Sequence, residues 1–236
     1  MGVLLKVSDL ESGYGLVKVL RGISLSISEG DSVVLLGVNG AGKTTLLKTI
    51  VGLLRATKGK IEFDSEDITK LKPNKRIKKG ISYMSELAIF PNLTIEENLD
   101  LGGYFQDRDE NLRRIEKMYE YFPDLRKFRN KMAGSLSGGQ RKMLGVAKAF
   151  MSNPKIVIMD EPSSGLSPKF VKKVIEVIKS FHEEYKTTMF IAEQNISFLD
   201  IADKVYVLDM GNVTFEGSVE ELKSNEKLRE AYFGVA

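Results

Sequence analysis

Residues 32–44 read SVVLLGVNGAGKT, a short apolar, β-branched run that passes straight into a glycine-rich turn ending in Lys43 and Thr44. A continuously apolar strand of this length is at home where both of its faces are buried, inside a parallel sheet covered by helices. The turn fits G-x-x-x-x-G-K-[ST], with Gly37, Gly42, Lys43 and Thr44 in the fixed positions. Glycines let successive backbone N–H groups curl around a phosphate without Cβ clashes. A helix starting near Gly42 aims its free amides and positive dipole end at the same anion. Lys43 supplies a point charge for the β- and γ-phosphates, and Thr44 a hydroxyl for Mg²⁺. A chance glycine-rich turn is the competing reading, and the strand before and helix after weigh against it. A dinucleotide fold is disfavoured, because Lys-Thr stands where a third spaced glycine would be.

A second apolar strand, IVIMDEP, ends in two adjacent acids, Asp160 and Glu161. Adjacent residues on a strand project in different directions, so the two carboxylates can take different roles. Asp160 suits Mg²⁺ in a P-loop site. Glu161 is then left to polarise an attacking water as general base. Without the phosphate cradle upstream, a strand ending in solvated acids would be the better reading. A third strand, TTMFIAE, breaks into Glu193, Gln194 and Asn195, and Asn195 is a good N-cap for the helix expected after it.

The remainder alternates strand-like and helix-like segments, as in an α/β domain. VLLKVSDLESGYG and VLRGISLSIS predict strands of an antiparallel layer. PKFVKKVIEVIKSFHEEY is amphipathic at helical spacing, with Ser167 as N-cap and Pro168 at the first helical position. Residues 94–152 show three helical stretches and no good strand, and predict a helical insertion. DKVYVLDMGNVTFEG predicts two strands about a Gly-Asn turn, and Ser218 with Glu221 forms a capping box. The basic run KLKPNKRIKKG, with no interleaved aromatic residue, is expected to be a solvated lysine-rich face rather than a nucleic-acid or lipid patch.

Composition removes several chemistries. The chain has no cysteine and one histidine, so a disulfide framework, a Cys-ligated metal and a serine–histidine triad are out of reach. A net charge of +3 gives no argument for nucleic acid. No run approaches the roughly 20 apolar residues that cross a bilayer, and the first residues lack the apolar stretch of a signal peptide. These features predict a soluble, intracellular chain able to dock on a membrane protein.

LSGGQRKMLGVAKAF completes the set. Leu136, Ser137, Gly138, Gly139 and Gln140 match the signature sequence of ATP-binding cassette ATPases, and the chain resembles that family over essentially its whole length. The signature obeys the logic of the cradle, since a hydroxyl and glycine amides at a helix start make another anion site. The resemblance implies a P-loop NTPase α/β core, with an N-terminal antiparallel β layer and a helical subdomain inserted in it. The expected division is a single domain over 1–236, with core 1–86 and 153–236 and helical subdomain 87–152. It implies ATP and Mg²⁺, and a head-to-tail dimer in which each ATP lies between one cradle and the partner's signature. Tyr14 would stack on adenine. Asn39, Gly40, Ala41 and Thr45 join Gly37 and Gly42–Thr44 as nucleotide contacts, with Ser137–Gln140 reaching across the dimer.

Three positions depart from the commonest family pattern. Ser167 stands where Asp is frequent, Glu86 where Gln contacts Mg²⁺, and Gln194 where His lies near the γ-phosphate. The metal set is therefore Thr44, Asp160 and Glu86, and the catalytic set Lys43, Glu161 and Gln194. Together with FPNLTIEENL, EPSSGL, EQN and AYFG, the substitutions at 86 and 194 resemble the branched-chain amino acid uptake ATPases. A Gly-Arg-rich stretch expected after Glu86 in that group is missing, and LAIFP is found instead. The resemblance implies a peripheral ATPase at the cytoplasmic face, paired with a similar but distinct ATPase, integral permease subunits and, indirectly, an extracytoplasmic solute-binding protein. It involves no nucleic acid. Other readings are a cassette for urea or short amides, a lipid exporter, a soluble non-transport cassette protein, and a nucleotide-binding module without hydrolysis.

Overall fold

The computed structural model describes residues 2–86 and 88–233. Leu87, where the helical insertion is expected to begin, and Gly234 of the terminal AYFG lie outside them. Strands β1 (Val3–Tyr14), β2 (Val17–Ser28), β4 (Ala56–Phe63) and β5 (Glu66–Asp67) form an antiparallel sheet in the order β2-β1-β4-β5. Strands β3 (Ser32–Leu36), β6 (Ile81–Met84), β7 (Ile156–Asp160), β8 (Thr188–Glu193), β9 (Lys204–Asp209) and β10 (Asn212–Gly217) form the second sheet, in the order β10-β9-β3-β8-β7-β6. All of its neighbours run parallel except the edge hairpin β9–β10.

Helix α1 (Lys43–Ile50) comes after β3, and α2 (Pro73–Lys78) precedes β6. Between β6 and β7 come α3 (Ile95–Gly102), α4 (Arg108–Tyr121), α5 (Pro123–Lys127) and α6 (Gly138–Phe150). Helix α7 (Pro168–Tyr185) crosses from β7 to β8, and α8 (Val219–Ser224) and α9 (Glu226–Phe233) end the described chain.

The apolar runs are explained by burial on both faces of the parallel sheet. Val33, Leu35, Ile158 and Phe190 point into a core shared with α1 and the antiparallel layer. Their neighbours Val34, Leu36, Met159 and Ile191 point into a second core shared with α3, α4, α6 and α7. Each such side chain removed from water contributes roughly 1.5–3 kcal/mol.

Three local expectations change. The β9–β10 register pairs Asp209 with Asn212, so the turn is Met210-Gly211, not Gly-Asn. Both turn residues have positive φ, 43° and 77°, the primed-turn geometry that matches strand twist. Ser167 sits at the N-cap of α7 with Pro168 next, but its hydroxyl makes no cap hydrogen bond. Its carbonyl instead accepts from the amides of Phe170 and Val171, while the missing N–H of Pro168 leaves one fewer orphan donor. By contrast, the capping box of Ser218 and Glu221 forms as expected.

The basic run is not wholly solvated. Arg76 is 2% exposed, and its guanidinium donates to the carbonyls of Leu71, Thr49, Ile50 and Thr69 at 2.9, 3.0, 2.5 and 2.8 Å. Thr49 and Ile50 end α1, whose last carbonyls have no partner within the helix. Arg76 is thus a buried clamp on the helix that starts at the phosphate cradle. Burial lowers its pKa to about 10, which leaves it charged at neutral pH. Arg76→Met is expected to cost about 2–4 kcal/mol in equilibrium urea unfolding, because it strands buried carbonyls. The neighbouring exposed Lys75→Met should stay within about 0.5 kcal/mol of the parent.

Candidate active site

Parallel strands deliver their carboxyl ends to one edge, the place where open α/β sheets bind ligands. Register brings Leu36 beside Glu193, Asp160 beside Ala192, and Met84 beside Met159. The residues just beyond these ends, the turn from Gly37, Glu86, Glu161 and Gln194, are therefore neighbours although up to about 160 positions separate them in sequence.

A cavity of about 560 Å³ lies at this edge. Asn39, Gly40 and Gly42–Thr45 line it together with Glu86, Asp160, Glu161, Ser164 and Gln194. Val19 of β2 completes the wall. Gly42 sits at the N-cap of α1 with φ 109°, a conformation that L side chains rarely adopt. Ala41 is buried, and its carbonyl accepts from the amide of Gly211, which ties the turn to the edge hairpin.

Lys43 is nearly enclosed. Its ammonium donates to the carbonyls of Gly37 (2.7 Å) and Val38 (3.2 Å) and pairs with Glu161 Oε1 at 3.1 Å. Thr44 Oγ1 donates to Asp160 Oδ1 at 3.0 Å, and the phenol of Tyr83 donates to Oδ2 at 3.1 Å. Asp160 is 2% exposed, and burial pushes its carboxyl up against the opposing pull of those two hydrogen bonds. The same burial, with the adjacent Asp160 carboxylate, drives the Tyr83 phenol far above its ordinary range and keeps it a donor.

The oxygen donors fit Mg²⁺, which prefers one or two carboxylate or hydroxyl ligands and completes its shell with phosphates and water. Asp160 forms no ion pair among the described residues. No group of three or more His, Cys, Asp or Glu side chains there could hold a metal by protein ligands alone. Glu86 is exposed and lines the same cavity.

Glu161 has φ 48°, an uncommon backbone state for a glutamate. Its N–H donates to Ala192 O at 2.9 Å, and its carbonyl accepts from Lys142 Nζ at 2.9 Å and the amide of Ser164 at 3.2 Å. Glu193, 1% exposed, accepts from the amide of Ser163 at 2.8 Å on one oxygen. On the other it accepts from the amides of Gln194 and Asn195 at 3.1 and 3.3 Å. Burial pushes its carboxyl up while these amides favour the anion. Gln194 is exposed into the cavity, and Asn195 caps a short 3₁₀ turn (Ile196–Ile201) through the Ser197 amide.

Sequence patterns alone give no role to Tyr83, Lys142 or Glu193. Glu193 nonetheless stands in plain view as an acid ending a fully apolar strand, a placement that demands partners. Nothing in sequence marks a Tyr83–Asp160 contact.

Two sets of predicted residues lie apart from the cavity. Tyr14 is exposed at the end of β1 and does not line it. The signature stands at the start of α6: Ser137 Oγ accepts from the Gln140 amide at 3.3 Å, and Gln140 Oε1 accepts from the Ser137 amide at 3.0 Å. Gly138 faces open space, whereas a Cβ on Gly139 would meet the Phe170 ring at 2.8 Å. The first glycine leaves room for a ligand and the second permits helix packing.

The ABC transporter family model matches residues 20–164. The high-affinity branched-chain amino acid transport ATP-binding protein BraG of Pseudomonas aeruginosa is 36% identical, over 98% of this chain and 100% of its own. LivF of Archaeoglobus fulgidus, a probable branched-chain amino acid transport ATP-binding protein, is also 36% identical over 98% and 99%. The lipopolysaccharide export ATP-binding protein LptB of Haemophilus influenzae is 32% identical over 98% and 97%. Among solved structures, the ADP conformation of an ATP-binding cassette superposes with a TM-score of 0.84 at 28% identity, covering 100% of both chains. A dimeric bacterial ABC transporter cassette gives 0.80 at 26% identity, covering 92% of this chain and 99% of its own.

Because the folded state binds the Asp160 proton more tightly than the unfolded chain does, this carboxylate lowers stability once pH rises above the ordinary carboxyl range. Asp160→Asn is expected to raise the thermal midpoint at pH 7–8, by roughly 2–4 °C for each kcal/mol relieved. That gain should shrink as the pH falls through the carboxyl range. A midpoint that drops on substitution at pH 7–8 would contradict the assignment of burial as the dominant cause.

Proposed function

The chain belongs to the ABC transporter family as an ATPase, and from that premise we propose that it powers an importer of branched-chain or other hydrophobic amino acids. The observation that carries the ATPase chemistry is the meeting of Lys43, Thr44, Asp160, Glu161 and Gln194 in one cavity. For the cargo, support comes from end-to-end similarity to two ATP-binding proteins of branched-chain amino acid transport.

In this reading the amides of Asn39–Thr45 and the Lys43 ammonium hold the β- and γ-phosphates. Lys43 then exchanges its contact with Glu161 for phosphate oxygens, which frees that carboxylate. Thr44, Asp160 and Glu86 would hold Mg²⁺, which would offset phosphate charge. Glu161 accepts a proton from water as the water oxygen bonds to the γ-phosphorus. The bond from phosphorus to the bridging oxygen breaks, and the electron pair leaves on ADP. Gln194 donates a neutral amide hydrogen bond to the γ-phosphate.

Tyr14 is read as the adenine platform and Ser137–Gln140 as the contact to a nucleotide on a partner ATPase. The open face of Gly138 is consistent with that arrangement. A core (1–86 and 153–236) would carry a helical subdomain (87–152) that moves with the nucleotide. Permease subunits would dock in a groove of about 350 Å³ where these meet, lined by the exposed Leu53, Ile77, Phe90, Leu101, Tyr104 and Phe105. No helix among the described residues is long and apolar enough to cross a membrane. As the ATPase of an importer the chain would sit at the cytoplasmic face against these permease subunits. Lipid export is the second reading, favoured by the similarity to LptB.

Purification of the native complex tests the cargo. Recovery of a solute-binding protein that takes up leucine or valine is the expected result, and a periplasmic lipid carrier in its place would turn the reading to export. Glu161→Gln is expected to lower kcat roughly 10²–10⁴-fold and to hold an ATP-bound dimer in size-exclusion chromatography. Gln194→Ala should reduce kcat more than it raises KM for ATP. Gln194→His is expected to add a step near pH ~6.5 to the turnover profile, absent from the parent.

A further inference from the structure

Helix α6 is tied at two points to the stretch of chain after β7. Gly139, in its first turn, lies so close to the Phe170 ring of α7 that no Cβ fits between them. One turn further along the same helix, Lys142 reaches the other end of that stretch and donates to the carbonyl of Glu161 at 2.9 Å. That carbonyl belongs to a residue with φ 48°, an uncommon backbone state for a glutamate that persists only where its surroundings hold it. The three bonds that hold this backbone are not equivalent. The Glu161 N–H bond to Ala192 belongs to the sheet edge, and the bond from the Ser164 amide is local to the turn. The Lys142 bond is the one that comes from a separate helix.

The ammonium is half-buried, and burial lowers its pKa while Glu86, Glu193, Glu161 and Asp160 favour its charged form. Its hydrogen bond runs to a backbone carbonyl and not to a carboxylate, so it fixes position. At the start of the same helix, Gly138 opens onto free space beside the Ser137 hydroxyl.

We propose that Lys142 is a positioning residue that makes the backbone of Glu161 move with helix α6, so that a phosphate seated at Ser137–Gly138 is felt at the water-activating carboxylate of the same chain. This rests on the assignment of Glu161 as the base and of the signature as a phosphate contact. Each nucleotide site of a dimer then sets the geometry of the other through one ammonium–carbonyl bond. Lys142 touches no substrate atom; it acts through Glu161.

Steady-state ATP hydrolysis by the purified full chain tests this, with thermal midpoints as the control for folding. Lys142→Met should lower kcat about tenfold or more, with KM for ATP within about twofold. Lys142→Arg keeps a cationic donor and should recover most of the loss. Ser137→Ala, which removes the hydroxyl, should lower kcat by a smaller factor in the Lys142→Met background than in the parent, as coupled sites do. Parental kcat in Lys142→Met, a loss that Lys142→Arg does not relieve, or strictly multiplicative effects of Ser137→Ala and Lys142→Met would each overturn the proposal. Glu161→Gln separates the two levels. If it is inactive while Lys142→Met is unimpaired, the base assignment stands and the positioning role fails. If it turns over briskly, the base assignment fails and takes the positioning role with it.

Discussion

A single buried carboxylate holds the site together. Asp160 binds the Thr44 hydroxyl with one oxygen and the Tyr83 phenol with the other, joining the start of α1, the end of β7 and strand β6. Desolvating a carboxylate is expensive, and two neutral donors offset only part of that cost. The parallel sheet supplies the rest of the stability, since its strands are covered on both faces. A fold that can hold an under-compensated anion at its ligand edge has a place prepared for a cation and phosphate.

Glu193 extends the same principle. An acid at the end of a buried strand gathers three backbone amides from two loops, one after β7 and one after β8. The loops that carry Glu161 and Gln194 are thereby fixed to one another through the Glu193 carboxylate. Arg76 plays the complementary part at the other end of α1, where a cation gathers carbonyls. Charge is thus fixed by hydrogen bonds at both ends of the cradle helix.

Much of this is legible from residue order. Continuous apolar runs at 33–36, 156–159 and 189–192 mark buried strands because both faces bury alternate residues, and glycine with Lys-Thr marks the cradle because backbone amides and an ammonium together wrap an anion. Fine geometry is less legible. The turn between β9 and β10 lies one residue earlier than its Gly-Asn pair suggests, since Met210 accepts a positive φ that sequence would assign to Asn212. Ser167 leaves its hydroxyl unused because its carbonyl meets the helix amides. Arg76 looks like one cation among many, for its partners are carbonyls, which every residue has and no sequence pattern displays. Tyr83 and Lys142 escape for the same reason: their partners lie 77 and 19 positions away and are set by the sheet and by α6.

The tip of the β9–β10 hairpin does not line the phosphate-cradle cavity, yet Gly211 donates to Ala41 O, accepts from the Arg21 amide, and leaves only 1.8 Å between Val19 O and a would-be Cβ. An edge hairpin has thus become a wedge between the antiparallel layer and the back of the phosphate turn. Residue 211 is consequently a place where mutational tolerance and distance from ligand come apart. A surface turn that its position alone would class as free to vary is as constrained as the cradle it braces from behind.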